Sequence, residues 1–249
     1  MAQAEQRQRR GRLFRLRKDV LNDMTDEELV KRYRLDREGI IFVTNLVRET
    51  LARPTTRNKA LTPEMKVIVT LRYLASGKMQ LCSGDDLGIS QQTVSRVITE
   101  TIYALFSNDI LRQFIKFPVT PQEIHQKKQD IYEIARFPDV IGAIDGTHIR
   151  ITAPSEFEAD YVNRKRYHSI NVQVVFDATY KVIDIVSRWP GSVHDARILS
   201  ESVLCREVFE GGIVPAGCHL LGDSGYPSKA WLLTPYLHPL PGPQSEYNR

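Results

Sequence analysis

Apolar positions in the first half of the chain recur every three or four residues. In the second half they gather into short runs. From Thr25 to about Arg136 the spacing is that of helices packed by one face. Thr25 with Glu28 three residues on predicts a capping box opening a short helix. Ile40, Val43, Leu46, Val47 and Leu51 share one helical stripe, closed at Arg53-Pro54 because a proline pushes its predecessor out of the helical region. Thr62-Pro63-Glu64 supplies an N-cap, a proline at the first helical position and an acid in the first turn. The helix it opens runs through Met65, Ile68, Val69 and Leu71 and stops near Gly77. After Pro138 the texture changes. Val140–Ile144, Ile170–Phe176 and Val182–Val186 are rich in β-branched residues and bounded by turn formers, which predicts strands. Residues 171–188 form a candidate hairpin turning through Asp177–Tyr180. A helix is expected from about Val193, and Cys218–Leu221 is a further short strand ending at Gly222-Asp223.

The 249 residues carry 34 Lys+Arg against 30 Asp+Glu and are 42% hydrophobic, which excludes a disordered chain, a collagen-like repeat and a membrane bundle. The length admits one large domain or two smaller ones. Cys82, Cys205 and Cys218 are odd in number and form no C-x-x-C pair, so neither a disulfide framework nor a zinc knuckle is indicated. No apolar run follows the N-terminal charges or reaches spanning length, so no membrane partner is expected. Charge is unevenly placed. Residues 1–20 hold seven basic side chains against Glu5 and Asp19, a surplus of five, which leaves the rest of the chain at −1. This basic tail suits a nuclear address or a phosphate-binding arm, and equally a solvated flexible segment.

Residues Ser83–Ile98 have helix-turn-helix spacing. One short helix stops at Gly88, Ser90 caps the next, and Val94, Val97 and Ile98 form its buried stripe. Gln91, Gln92, Ser95 and Arg96 then face outward, where glutamine can bond adenine and arginine can bond guanine or phosphate. An ordinary αα-corner with a polar face reads the same way, and a near-neutral body argues against strong DNA binding by this module alone.

Three aspartates adjoin predicted elements: Asp145 after Val140–Ile144, Asp195 at the start of the helix near residue 193, and Asp223 after Cys218–Leu221. Each alone suits a turn. Converging, they suit a hard divalent cation such as Mg²⁺ or Mn²⁺, and two such ions can activate a water and stabilise the leaving oxygen of a phosphodiester. Gly222-Asp223-Ser224-Gly225 also looks like the nucleophile loop of a serine protease, with His148, Asp195 and Ser224 in matching order. Tyr226 in place of the next glycine and a helical first half argue against it.

Four motifs carry a resemblance: Val140–Ile149 (VIGAIDGTHI), Asn163–Gln173 (NRKRYHSINVQ), Pro190–Arg197 (PGSVHDAR) and Gly222–Pro227 (GDSGYP). They resemble the Harbinger (PIF-type) DDE transposases, and among these the domesticated, transposase-derived nucleases. The likeness runs over nearly the whole chain. It implies a ribonuclease H-like catalytic domain, a mixed sheet with antiparallel strands first and helices around it, and a divalent metal cofactor. Asp145, Asp223 and Asp195 match the family's acidic positions as catalytic residues and metal ligands. His194 is expected to shape its loop without a ligand role. Arg164, Lys165 and Arg166 are candidate phosphate contacts or a solvated loop. The resemblance also implies DNA as substrate, a Myb/SANT-like protein partner, and residence in nucleus and cytoplasm; homo-oligomerisation is left open.

In that family a last acid, a glutamate, lies on a helix downstream of the Gly-Asp-Ser motif. This chain stops at Ser245–Arg249, and Glu246 precedes the matching stretch, so the catalytic domain is expected to be truncated and its cleavage weak or absent. The chain thus reads as mixed α+β or α/β, with a basic tail over 1–20, a helical region with a helix-turn-helix over 21–137, and an incomplete nuclease domain over 138–249. The expected activity is metal-dependent cleavage of DNA by a two-metal mechanism. The alternative is an inactive DNA-binding or protein-interaction module.

Overall fold

A computed structural model describes residues 19–53 and 60–248. The basic tail up to residue 18 and the proline after Arg53 lie outside the described residues. The chain divides into two compact units, Met1–Leu111 and Arg112–Arg249.

In the first unit, helices α1 (Val20–Asp23), α2 (Asp26–Tyr33), α3 (Arg37–Leu51), α4 (Pro63–Ser76), α5 (Gln80–Leu87) and α6 (Gln91–Leu105) follow one another. The caps read from the sequence form as expected. Thr25 and Glu28 make a reciprocal capping box, and the Thr62 hydroxyl accepts from the Met65 amide with Pro63 in the first turn. Leu29, Ile40, Ile68, Val94, Val97 and Ile98 are buried in one core. Between α5 and α6 the chain turns through Gly88 in the left-handed region, and the Ser90 hydroxyl accepts from the Thr93 amide. Gly84 admits this turn, because a β-carbon there would lie 2.7 Å from the Ile89 carbonyl.

Helix α7 (Asn108–Phe114) runs across the boundary between the units. The second unit then holds α8 (Pro121–Ala135), β1 (Val140–Arg150), β2 (Ser169–Phe176), β3 (Val182–Pro190), α9 (Asp195–Ser200), β4 (His219–Gly222), β5 (Leu232–Leu233) and α10 (Pro243–Tyr247). The strands form one mixed sheet in the order β3-β2-β1-β4-β5. β1, β2 and β3 pair antiparallel, whereas β4 runs parallel to β1 and β5 parallel to β4. Ile141, Ile144, Val175, Ile183, Leu220 and Leu232 bring the sheet into a core that Ile124 of α8 and Leu199 of α9 complete. The strand texture begins near residue 137, but the packing boundary lies earlier because α8 covers this sheet.

β1 differs from its sequence reading. Its apolar run ends at Ile144, yet the strand continues through Asp-Gly-Thr-His-Ile-Arg to Arg150. Antiparallel pairing with β2 persists to Arg150 opposite Ser169 and holds this polar half in extended form. Asp145 is therefore inside a strand and not at its end. Among the described residues no helix is long and apolar enough to cross a membrane.

Candidate active site

The three aspartates meet where the parallel part of the sheet stops. Ile144 of β1 pairs with Gly222, the last residue of β4. Asp145 and Asp223 each follow one step later, on neighbouring parallel chains that lie about 4.8 Å apart. β4 ends there because Asp223 begins a turn in which its Oδ1 accepts from the Gly225 amide at 2.9 Å. Asp145 Oδ1 accepts from the amide of Gly146 at 2.8 Å. Both side chains are exposed.

Asp195 is the first residue of α9, with His194 as a cap that makes no side-chain bond. It is half-buried, and its position is set by β2: the Asn171 amide nitrogen donates to Asp195 Oδ1 at 2.8 Å and to the Val193 carbonyl at 2.9 Å. Two glycines make room for it. A β-carbon on Gly146 would collide with the Asp195 carboxylate, and one on Gly225 would sit 3.0 Å from Asp223 Oδ1 and 3.5 Å from Asp195 Oδ2. Gly146, inside β1, is thus fitted to the third acid, and Gly225, in the turn after Asp223, borders it.

Tyr226 closes the site from inside. It is 4% exposed, packs beside Ile144 and Gly222, and its hydroxyl has no hydrogen-bond partner. Burial pushes its phenol well above the usual range, and the nearby Asp195, Asp145 and Asp223 carboxylates push it in the same direction. All three acids therefore bear on one buried group. Among the described residues no three His, Cys, Asp or Glu side chains are gathered so that they could hold a metal ion as they stand. The donors present are open carboxylates on separate elements, which fits Mg²⁺ or Mn²⁺ held by a few carboxylates and several waters. The orphaned Tyr226 hydroxyl and the buried, unpartnered Asn171 Oδ1 lie around the acids as further sites for water or ligand.

The other predicted residues fall elsewhere. Gln91, Gln92 and Arg96 are exposed on the first turns of α6 in the first unit, with Ser95 half-buried, and Gln91 Nε2 donates to Gln80 Oε1 at 3.1 Å. Arg164, Lys165 and Arg166 are exposed on the turn before β2. Buried Asn163 shapes that turn: its Oδ1 accepts from the amides of Lys165 (2.9 Å) and Tyr167 (3.3 Å). Sequence reasoning passed over Asn171, Asn163 and Tyr226. The signal was a period-2 polar row, Ser169-x-Asn171-x-Gln173, on an otherwise β-branched strand; all three are buried.

In comparisons with known proteins, residues 144–249, which hold all three aspartates, match the family model described as DDE superfamily endonuclease. Within the second unit, residues 144–249 are thus similar to that superfamily's endonuclease domain. The relatives that the chain resembles lie in the direction its four motifs implied, toward Harbinger-derived proteins that carry the name "Putative nuclease HARBI1". The chain is 38% identical over 229 residues to the Mus musculus protein "Putative nuclease HARBI1", covering 92% of this chain and 64% of that one. It is 37% identical over 227 residues to the Homo sapiens protein of the same name, covering 91% and 63%. With the Arabidopsis thaliana "Protein ALP1-like" it shares 27% identity over 236 residues, 87% of this chain and 57% of that one. The chain thus spans a little under two thirds of the curated nucleases it matches. No solved structure matches it.

Proposed function

We propose that the chain is a divalent-metal-dependent nuclease acting on DNA phosphodiester bonds, on a ribonuclease H-like scaffold. The observation that carries this reading is the placement of Asp145 and Asp223 one step beyond the Ile144–Gly222 pair, with Asp195 seated between Gly146 and Gly225. Asp145 and Asp223 would hold the metal, and Asp195 would supply a further ligand. Two divalent ions held there would supply an activated water and charge stabilisation for the leaving oxygen. The chain's own contribution is orientation. Asn171 fixes one oxygen of Asp195, the Gly146 and Gly225 amides fix one oxygen each of Asp145 and Asp223, and the second oxygens stay available. Tyr226 walls off the inner side of the site.

The α5–α6 pair is read as a helix-turn-helix in which Gln91, Gln92, Ser95 and Arg96 contact DNA, and the basic turn at Arg164–Arg166 as a contact for the strand near the acids. A Myb/SANT-like partner and entry to the nucleus belong to the same proposal.

The test pairs metal binding with cleavage. Mn²⁺ is expected to raise the melting temperature of the wild-type chain and to lose that effect in Asp145→Asn and Asp223→Asn. Nicking of supercoiled plasmid in Mg²⁺ or Mn²⁺ is expected to vanish in the same variants. Nicking that persists in both variants overturns the assignment of these acids. An absent Mn²⁺ shift together with absent nicking favours the second reading, a DNA-binding or protein-interaction module without chemistry.

A further inference from the structure

A cleft of about 200 Å³ opens beside Asp195, and its walls include His148, Asn163, Arg164, Asn171, Ser192 and His194. Its floor is a hydrogen-bond relay. Asn163 Nδ2 donates to the hydroxyl of fully buried Ser169 at 2.9 Å, and Ser169 Oγ lies 3.1 Å from His148 Nδ1. We assign Ser169, which already accepts from Asn163, as the donor to His148 Nδ1. A neutral His148 then carries its proton on Nε2, the ring nitrogen left outside the relay. Asn171 completes the floor. Its two partners, the Val193 carbonyl and the Asp195 carboxylate, are both acceptors, so its nitrogen must face them. Its buried Oδ1 is left as an acceptor without a donor. At the rim stands Arg164, which makes no ion pair among the described residues. Asn163 holds that rim through the Lys165 and Tyr167 amides, and Arg150 lies over the Tyr167 ring at 4.5 Å.

We propose that this cleft is a nucleotide subsite. It takes the phosphodiester group next to the one presented to the aspartates, with Arg164 and the His148 Nε2–H as donors to its oxygens and Asn171 Oδ1 accepting from a donor on the same nucleotide. A cation at the rim, an N–H donor on the floor and an unsatisfied acceptor beside them match a phosphate joined to a sugar and base better than they match a free anion. Of the three basic residues in the turn, only Arg164 lines the cleft, so Lys165 and Arg166 have no part in this subsite. The choice of substrate rests on the nuclease reading.

The test uses the whole chain and a 5′-fluorescein-labelled single-stranded thymidine hexamer, followed by fluorescence anisotropy without divalent metal and across a salt series. Arg164→Ala and His148→Phe are each expected to weaken binding about 10- to 150-fold, the range of one lost hydrogen bond to a charged group. Arg164→Ala should also lower the slope of log affinity against log salt by about 0.7, as loss of one phosphate contact on a single strand requires. His148→Gln, which keeps a donor, should recover part of the loss. Lys181→Ala, the same charge change at the opposite end of the hairpin, should bind as wild type. Unchanged hexamer binding in both Arg164→Ala and His148→Phe overturns the subsite, as does equal weakening by Lys181→Ala. If inorganic phosphate displaces the hexamer as well as thymidine monophosphate does, the site is for a free anion and the nucleotide assignment falls. An Mn²⁺ shift independent of Asp145 and Asp223, with hexamer binding still dependent on Arg164, overturns the nuclease reading and leaves the subsite standing.

Discussion

Gly146 faces the carboxylate of Asp195 so closely that no β-carbon fits between them. A glycine that reads as a turn former in the sequence is therefore a strand residue fitted to an acid 49 residues downstream. Gly146→Ala should push Asp195 off its Asn171 bond and cost about 1–3 kcal/mol from overpacking. The expected readout is a lower midpoint in urea together with a diminished Mn²⁺-dependent thermal shift. A variant with wild-type stability and an undiminished shift would show that Asp195 tolerates the added methyl group.

The buried hydroxyl of Tyr226 has no hydrogen-bond partner, and the charges of Asp195, Asp145 and Asp223 all act on it. An unsatisfied buried polar group costs about 1–3 kcal/mol. Tyr226→Phe keeps the ring that packs against Ile144 and Gly222 and removes that cost. Without metal it should therefore stabilise the chain by about 1 kcal/mol, measured by chemical denaturation. In Mn²⁺ the gain should shrink, because water ordered at the acids gives the wild-type hydroxyl a partner. A variant less stable than wild type in the absence of metal would mean that the hydroxyl is already bonded.

How much of this was legible in the sequence depended on whether a signal is local. The caps at Thr25 and Thr62 and the apolar stripe of α6 are local, and each formed as read. The antiparallel start of the sheet was implied by the family resemblance. The second half of β1 was not legible. Asp-Gly-Thr-His is turn-like in composition and becomes a strand only because β2 pairs with it to Arg150. Asp145, Asp195 and Asp223 were visible as residue types next to elements. The seating of Asp195 against Gly146, Gly225 and Asn171 was not, since each of those contacts joins positions far apart in the chain. The early packing boundary was hidden for the same reason: α8 has a helix's pattern, and nothing local says that it covers a sheet.

Lys66 is buried in the helical unit, where its Nζ donates to the Leu51 carbonyl at 3.1 Å and to Glu100 Oε2 at 2.9 Å. Removing the partner of a buried charge costs more than replacing the charge itself with an apolar group of similar length. Glu100→Ala should destabilise this unit by about 3 kcal/mol, while Lys66→Met should cost less. The comparison is read from urea midpoints of the two variants and the double variant. Equal losses in the two single variants would show that the pair is solvated.

The hairpin between β2 and β3 is clamped from α8. Lys127 Nζ donates to Asp177 Oδ2 at 2.7 Å, and Asp177 Oδ1 accepts from the Thr179 amide, the Thr179 hydroxyl and the Lys181 amide. Burial alone would raise the Asp177 pKa, but these bonds, the one from Lys127 foremost, outweigh it and hold the carboxyl at about 2. A folded pKa below the unfolded value near 3.8 means that the stabilisation is fully present above about pH 4. It is lost as the pH falls from there toward 2. The shift corresponds to about 2 kcal/mol. Asp177→Asn should therefore lower stability at neutral pH by roughly that amount, leaving Lys127 without its counter-charge, and the gap between variant and wild type should close between pH 4 and 2. Urea midpoints measured over that range decide it. A gap that stays constant with pH would mean that Asp177 contributes through the shape of the turn and not through its charge.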